Sequence, residues 1–253
     1  MAMQDYKRAL YDFSAAIRAA QKRDQSDADK DRPEKLSEHY MHAGICNQML
    51  GQYEEALAHY NYGIQKYSEK GDIFFHRGLA NVSLEKYQKG IDDFNNALKC
   101  TLSSDAMKYK VHLNLGINLR RVNNLDLSIA ELRKAIDKQE KPQAYNNLGL
   151  SYFEQNEWEE SISYYTKAID LEQANRNDLN LPNEYLSLYL NNRGLANYHM
   201  KQFQDAIKDF NLAIEAINGT SAENFFNRGN VYLNLEEFTL AHNDYDQAIQ
   251  IDK

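Results

Sequence analysis

Apolar residues recur along most of the chain at the spacing of an α-helix. Ala56, Leu57, Tyr60, Gly63 and Ile64 show the pattern: they repeat after three or four residues and then after seven. This spacing places apolar side chains on one helix face and differs from the alternation of a strand. Only three prolines occur in the 253 residues, so long helices can run through nearly the whole chain. The pattern predicts an all-α protein.

A glycine returns six times, at intervals of 34, 38, 33, 45 and 35 residues. Each is followed by a small residue after 12 positions, a large residue after 16 and a second small residue after 19. The glycines are Gly44, Gly78, Gly116, Gly149, Gly194 and Gly229, and the large residues are Tyr60, Phe94, Leu132, Tyr165, Phe210 and Tyr245. Glycine inside a helix costs about 1 kcal/mol relative to alanine. We therefore expect each glycine to let two antiparallel helices approach, with the large residue filling the space beside it.

The pattern resembles the tetratricopeptide repeat, which has a small residue at position 8, alanine at 20, an aromatic at 24 and alanine at 27. With each glycine at position 8, the resemblance implies a single right-handed superhelical solenoid of antiparallel helix pairs. The implied repeats lie near residues 37–70, 71–104, 109–141, 142–175, 187–220 and 222–253, after a lone second helix within residues 1–19.

Three insertions interrupt the period. Residues 20–36 are polar and charged and predict an exposed loop, while residues 101–108 predict one helical turn or a short loop. In residues 170–186, we expect Pro182 to end any helix that precedes it. Lengthened helices and loops, or a dedicated binding element, are both open interpretations of these insertions.

In the family, the first helix of each pair lines a concave surface with positions 2, 5, 6, 9, 12 and 13. Position 6 is asparagine in four successive repeats, at Asn114, Asn147, Asn192 and Asn227. The run of residues 145–149 is similar to the superhelical region of O-linked N-acetylglucosamine transferase, where such a ladder follows the inner face. A carboxamide carries a donor and an acceptor, so the ladder predicts pairing with the backbone of an extended peptide. The alternative is that these asparagines only solvate the inner face or cap local backbone groups.

Other positions on this face predict side-chain selectivity. Lys110, Arg120 and Arg121 occupy positions 2, 12 and 13 of the third repeat and predict a cationic spot for a carboxylate or phosphorylated side chain. Pairing with nearby acids is the alternative. Phe153 and Tyr198 are candidate pocket residues, unless packing between repeats covers them.

Arginine occupies position 7 in three repeats, and the same three repeats have aspartate at position 23. The pairs are Arg77 with Asp93, Arg193 with Asp209, and Arg228 with Asp244. Because the two positions change together, we expect a bidentate ion pair that joins the two helices and stabilises the scaffold.

Composition narrows the function classes. The formal net charge is −8 and no run is rich in lysine or arginine, which disfavours nucleic-acid binding. Two distant cysteines, no signal segment and no long apolar stretch favour a cytoplasmic, reducing compartment without membrane insertion. Motifs for phosphate loops, nucleophile elbows and zinc sites do not occur, so we expect no catalysis, cofactor or metal.

These observations favour a scaffold or adaptor that binds a protein or peptide on its concave face. One alternative is a structural module that stacks within a larger complex. Another is the substrate-recruiting arm of a larger enzyme. No polar capping helix follows the repeat that ends at Lys253, which predicts self-association through the ends or a longer parent protein.

Overall fold

The computed structural model describes residues 2–23, 32–67, 69–175 and 182–252. Within these ranges the fold is all-α, as predicted, and extended pairing is confined to one isolated bridge between Lys70 and Thr101. The helices are α1 (Ala2–Arg23), α2 (Arg32–Met49), α3 (Tyr53–Lys66), α4 (Gly71–Ser83), α5 (Tyr87–Lys99), α6 (Asp105–Arg121), α7 (Leu125–Lys138), α8 (Pro142–Glu154), α9 (Trp158–Ala174), α10 (Glu184–His199), α11 (Phe203–Ala216), α12 (Ala222–Asn234) and α13 (Phe238–Ile251).

The helices divide into two units, one ending at Gln139 and the other beginning at Glu140. Unit 1 contains α1 to α7, and unit 2 contains α8 to α13. From α2 onward, each first helix packs most closely on the helix that follows it in the chain. Six consecutive pairs result, three in each unit. The prediction of one continuous solenoid through both units stays a prediction.

The predicted contact between glycine and the large residue is confirmed in all six pairs. A Cβ atom added to any of the six glycines would lie only 2.5–2.8 Å from an atom of the side chain sixteen residues later. At Gly78 the obstructing group is the ring of Phe94, and at Gly116 it is the side chain of Leu132. The two helices therefore cross at a distance that only glycine permits at position 8.

The lone N-terminal helix α1 packs on α2 through the same kind of apolar face. Ile17, Leu36 and Tyr40 form a buried cluster, against which Phe13 is partly buried. The ring of Phe13 also stacks on His42, with 5.2 Å between the ring centroids. This helix corresponds to the predicted half-repeat, although it extends beyond residue 19.

The insertions are partly helical. The exposed loop predicted for residues 20–36 is wrong at both ends, because α1 continues to Arg23 and α2 begins at Arg32. Residues 24–31 lie outside the described residues. The segment 101–108 contributes a helical turn, since α6 begins at Asp105. In the last insertion, α9 ends at Ala174 and α10 begins after Pro182, while residues 176–181 lie outside the described ranges.

The turn inside each pair contains a residue with left-handed backbone geometry, seven positions after the glycine. The φ angles lie between 58° and 75° at Gly51, Glu85, Asn123, Asn156, Lys201 and Glu236. The next backbone N–H then donates to the carbonyl five residues earlier, as from Lys86 to Asn81 at 2.9 Å. This geometry satisfies carbonyl groups at the helix end. One of the six positions is glycine and two are asparagine, so residue type indicates this geometry in only half of the turns.

The three predicted arginine–aspartate pairs are confirmed. Arg77 donates from Nε at 3.0 Å and from Nη2 at 2.5 Å to Asp93, which is buried. Its Nη1 also donates to Asn61 on the second helix of the preceding repeat, at 2.8 Å. Arg193 reaches Thr166, and Arg228 reaches Asn211, at the same position of their preceding repeats. Each arginine therefore links three helices, one more than the sequence predicted.

We expect glycine at the left-handed turn positions to stabilise the protein. A non-glycine residue there costs about 1–2 kcal/mol, and the greater unfolded-state freedom of glycine offsets part of the gain. Glu85→Gly and Lys201→Gly should each raise the free energy of unfolding in urea by roughly 0.5–1 kcal/mol. Asn123→Gly is the matched control and should gain less, since asparagine tolerates this geometry. A loss of stability in Glu85→Gly would contradict the assignment.

We expect Asp93→Ala to lower the free energy of unfolding by about 2–4 kcal/mol, because the half-buried Arg77 guanidinium would lose its carboxylate. The neighbouring Asp92 is exposed and accepts from the nearby Gln88, so Asp92→Ala should change stability by less than about 0.5 kcal/mol. Thermal and urea unfolding measure both. Unchanged stability of Asp93→Ala, together with lost partner binding, would instead assign the pair to ligand recognition.

Candidate protein-binding surface

The predicted site residues lie on the first helices of both units. We define the first-helix face of a unit by positions 2, 5, 6, 9, 12 and 13 of its first helices. Unit 1 carries Lys110, Asn114, Arg120 and Arg121 on α6, and unit 2 carries Asn147, Phe153, Asn192, Tyr198 and Asn227 on α8, α10 and α12.

In unit 1, the three predicted cations do not form one cluster. Lys110 lies in the second turn of α6, whereas Arg120 and Arg121 lie in its last turn. Ten or more residues of helix separate them, which corresponds to about 15 Å along the axis. The guanidinium of Arg121 also lies over the ring of Tyr87, 5.3 Å from its centroid. A single anionic group on a partner would therefore contact one end of this helix only.

The asparagines at position 6 donate hydrogen bonds within the protein. Nδ2 of Asn114 donates to the backbone carbonyl of Lys110 at 2.8 Å, and Nδ2 of Asn147 donates to that of Gln143 at 2.7 Å. These bonds match the alternative in which the asparagines cap local backbone groups. They also orient both carboxamides, because a backbone carbonyl can only accept. Each Oδ1 atom then points away from the bonded carbonyl.

In unit 2, asparagines of adjacent repeats bond to one another. Nδ2 of Asn192 donates to Oδ1 of Asn146, and Nδ2 of Asn227 donates to Oδ1 of Asn191, both at 2.9 Å. Asn191 in turn donates to Glu223 at 3.2 Å. In these two cases the position-6 amide reaches the position-5 amide of the preceding repeat.

The position-5 asparagines were not among the predicted site residues. Asn146 and Asn191 are buried, and their role could have been suspected from the doublets Asn146-Asn147 and Asn191-Asn192. Further bonds join α10 to α12. Nδ2 of Asn224 donates to Ser187 at 2.9 Å. The first helices of unit 2 are therefore held side by side by polar contacts.

Phe153 and Tyr198 pack between repeats instead of lining an open pocket. The ring of His199 lies edge-on to Phe153 at 5.2 Å and stacks on Trp158 at 5.4 Å. Tyr198 also contacts His199, and its hydroxyl accepts from Nδ2 of Asn234 at 2.8 Å. Both predicted residues are half-buried.

Three other apolar side chains on this face are open to solvent. Leu188, Phe226 and Leu233 are 44%, 52% and 47% exposed, at positions 2, 5 and 12 of their repeats. Phe226 directly precedes Asn227, and Leu188 lies one turn before Asn192 on α10. The face therefore combines apolar side chains with carboxamides.

In unit 1, position 6 of the second repeat is His76. Burial of the ring lowers the pKa of His76 to about 4; the nearby Lys110 and His42 lower it further, while Asp72 opposes the shift. The ring lies against Phe75 and Tyr60. His76 is therefore neutral near pH 7 and belongs to the apolar core more than to a binding surface.

The lowered pKa of His76 predicts an acid-sensitive fold. An unfolded histidine has a pKa of about 6.5, so the unfolded chain binds the proton first as the pH falls. Stability should be complete above that value and decrease between about pH 6.5 and 4, by up to roughly 3 kcal/mol. His76→Asn, which copies the residue found at this position in four other repeats, should reduce this pH dependence in urea unfolding. Identical pH profiles for both proteins would contradict the prediction.

The described part of the chain holds no group of three histidine, cysteine or acidic side chains placed for a metal ion. None of its helices has the length and apolar character needed to cross a membrane.

Two segments match models of the tetratricopeptide repeat, residues 142–175 and 222–253. They coincide with the fourth and sixth predicted repeats. No curated protein sequence matches the chain.

Solved structures share the fold at low sequence identity. A chain of the APC/C hetero-tetramer Cut9–Hcn1 has a TM-score of 0.67 and 17% identity over 85% of this chain, which spans only 40% of that relative. PilF of Pseudomonas aeruginosa has a TM-score of 0.64 and 16% identity, covering 87% of this chain and 99% of PilF. YrrB, a repeat protein with an unusual peptide-binding site, has a TM-score of 0.59 and 17% identity, covering 81% and 91%. These likenesses show a shared fold, and the two matched segments are tetratricopeptide repeats within the chain.

Proposed function

We propose that this protein–protein interaction scaffold binds an extended segment of a partner along the first-helix face of unit 2. The observation that carries the proposal is the row of carboxamides at Asn147, Asn192 and Asn227. Each donates through Nδ2 inside the protein, and no donor among the described residues reaches its Oδ1. Asn114 has the same arrangement in unit 1.

An Oδ1 acceptor at this position suits a peptide backbone. Every extended segment presents N–H groups at regular intervals, and pairing with them does not depend on the partner's side chains. The exposed Leu188 and Phe226 beside the carboxamides supply apolar contact area. The peptide-binding site in YrrB supports the proposal by showing that a related fold can hold a peptide.

A second candidate function is assembly through the last helix pair. Phe238 and Ile249 are 63% and 58% exposed at positions 17 and 28. In the preceding repeat the same positions hold Phe203 and Ile214, which are half-buried. Light scattering over a range of protein concentrations tests this candidate function. The molar mass should show oligomers for the wild-type chain and a monomer for Phe238→Ser.

The peptide proposal is tested by changing Asn147, Asn192 and Asn227 together to alanine. The amount of partner protein captured from a cell extract should fall by about tenfold or more, because the acceptors for the peptide backbone disappear. The matched control changes Asn95 and Asn243, exposed asparagines on second helices, and should retain all partners.

Circular dichroism and thermal unfolding must show that the triple variant is folded. Asn192 also bonds Asn146, so the triple variant can lose its fold. In that case Asn147→Ala is tested alone, because the hydrogen bond of Asn147 is local to α8. Folded variants that keep every partner would exclude the carboxamide row as the peptide contact. Asn114→Ala tests the face of unit 1 independently.

A further inference from the structure

The first-helix face of unit 2 has an unusual charge balance. Its eighteen defining positions contain no lysine or arginine, and their acidic residues are Glu154 and Glu223, both exposed. The arginines of α10 and α12, Arg193 and Arg228, point elsewhere and bind Asp209 and Asp244. A carboxylate that arrived on this face would meet like charge and no cation.

The carboxamides of the face reinforce this polarity. Glu223 can only accept, so Asn191 must point Nδ2 toward it and Oδ1 toward Asn227. Asn227 therefore donates inward and leaves its own Oδ1 for a ligand. Asn147 is oriented in the same way by the carbonyl of Gln143. Asn147 and Asn227 thus offer acceptors to a partner, and a bound segment must supply the donors that fill them.

Apolar side chains lie directly beside these acceptors. Hydrogen bonds from Asn224 to Ser187 and from Asn234 to Tyr198 join α10 to α12 along their length. Leu188, Phe226 and Leu233 are left open on this joined surface. Burial of exposed apolar groups beside satisfied hydrogen bonds is typical of the centre of a binding site.

Together, these features identify the chemistry of the partner. Resting on the proposed function, we infer that the first-helix face of unit 2 binds an extended apolar segment that carries a lysine or arginine opposite Glu223 and lacks acidic residues. Backbone N–H groups fill the Oδ1 acceptors, apolar side chains cover Leu188 and Phe226, and the cation pairs with the carboxylate of Glu223.

The first experiment selects binders to the purified full chain from a display library of random 15-residue peptides. We expect selected peptides to be enriched in apolar residues with lysine or arginine and depleted in aspartate and glutamate. One selected peptide, and its copy with the basic residue changed to glutamate, are then measured by fluorescence anisotropy.

Variants locate the site. Phe226→Ala and Leu188→Glu should each lower the affinity for the selected peptide by about tenfold. Leu212→Glu, at an exposed leucine on α11 of the same unit, should leave the affinity unchanged. Glu223→Lys should weaken binding of the basic peptide and restore binding of the copy that carries glutamate. That exchange is specific to a direct charge pair, since a misfolded variant would bind neither peptide.

The outcomes separate the two proposals. Selected peptides that are acidic, or that depend on Lys110 and ignore Phe226 and Glu223, would overturn this inference and leave peptide binding in place. A library that yields no binder to the wild-type chain would overturn the proposed function as well. Thermal unfolding of Glu223→Gln, which keeps an acceptor for Asn191, confirms that any effect of the charge is separate from the fold.

Discussion

The close crossing of the two helices in each pair is the contact on which the rest of the structure depends. The side chain at position 24 occupies the space that glycine leaves at position 8, and this occurs six times with the same 2.5–2.8 Å limit on an added Cβ. A side chain at position 8 would push the helices apart by the thickness of a methyl group. The contact between positions 8 and 24 lies between the two helices, so the opposite side of the first helix does not contribute to it. Its residues can vary between repeats, and they do.

Adjacent repeats of unit 2 are joined by polar groups as well as by apolar packing. In unit 2 the pairs close on buried rings such as Tyr165 and Phe210, whereas adjacent first helices are joined by Asn192 with Asn146 and by Asn227 with Asn191. Apolar packing tolerates small shifts of register, while a hydrogen bond between two carboxamides requires both to be in place. The arginine–aspartate pairs act similarly, since the third contact of each guanidinium reaches the preceding repeat. These polar bonds add to the apolar packing that holds one repeat on the next.

The sequence predicts features in which residue types recur at a fixed spacing, and it fails where backbone geometry, distance along a helix or a partner from another repeat decides. Glycine and ring at a constant spacing predicted the helix pairs, and the joint occurrence of Arg77 with Asp93 predicted their ion pair. The left-handed residues at Glu85 and Lys201 were missed, because backbone geometry recurs there without a common side chain. The predicted cationic spot grouped Lys110 with Arg120 because both occupy inner-face positions of one repeat. The two residues lie near opposite ends of α6. The bonds of Asn192 and Asn227 depend on which neighbour each amide meets, and no spacing encodes that.

The carboxamides of unit 2 serve the fold and the proposed site at once, and this determines what the site can recognise. A free asparagine can turn either end toward a ligand, whereas an asparagine that donates to Asn191 or to the carbonyl of Gln143 presents its oxygen. Repeat stacking thus gives the surface its acceptor character before any partner arrives. Backbone N–H groups are common to all extended segments, so in the proposed site these acceptors would add affinity without discrimination. Discrimination then depends on the residues that differ from repeat to repeat, which on this face are Leu188, Phe226 and Glu223.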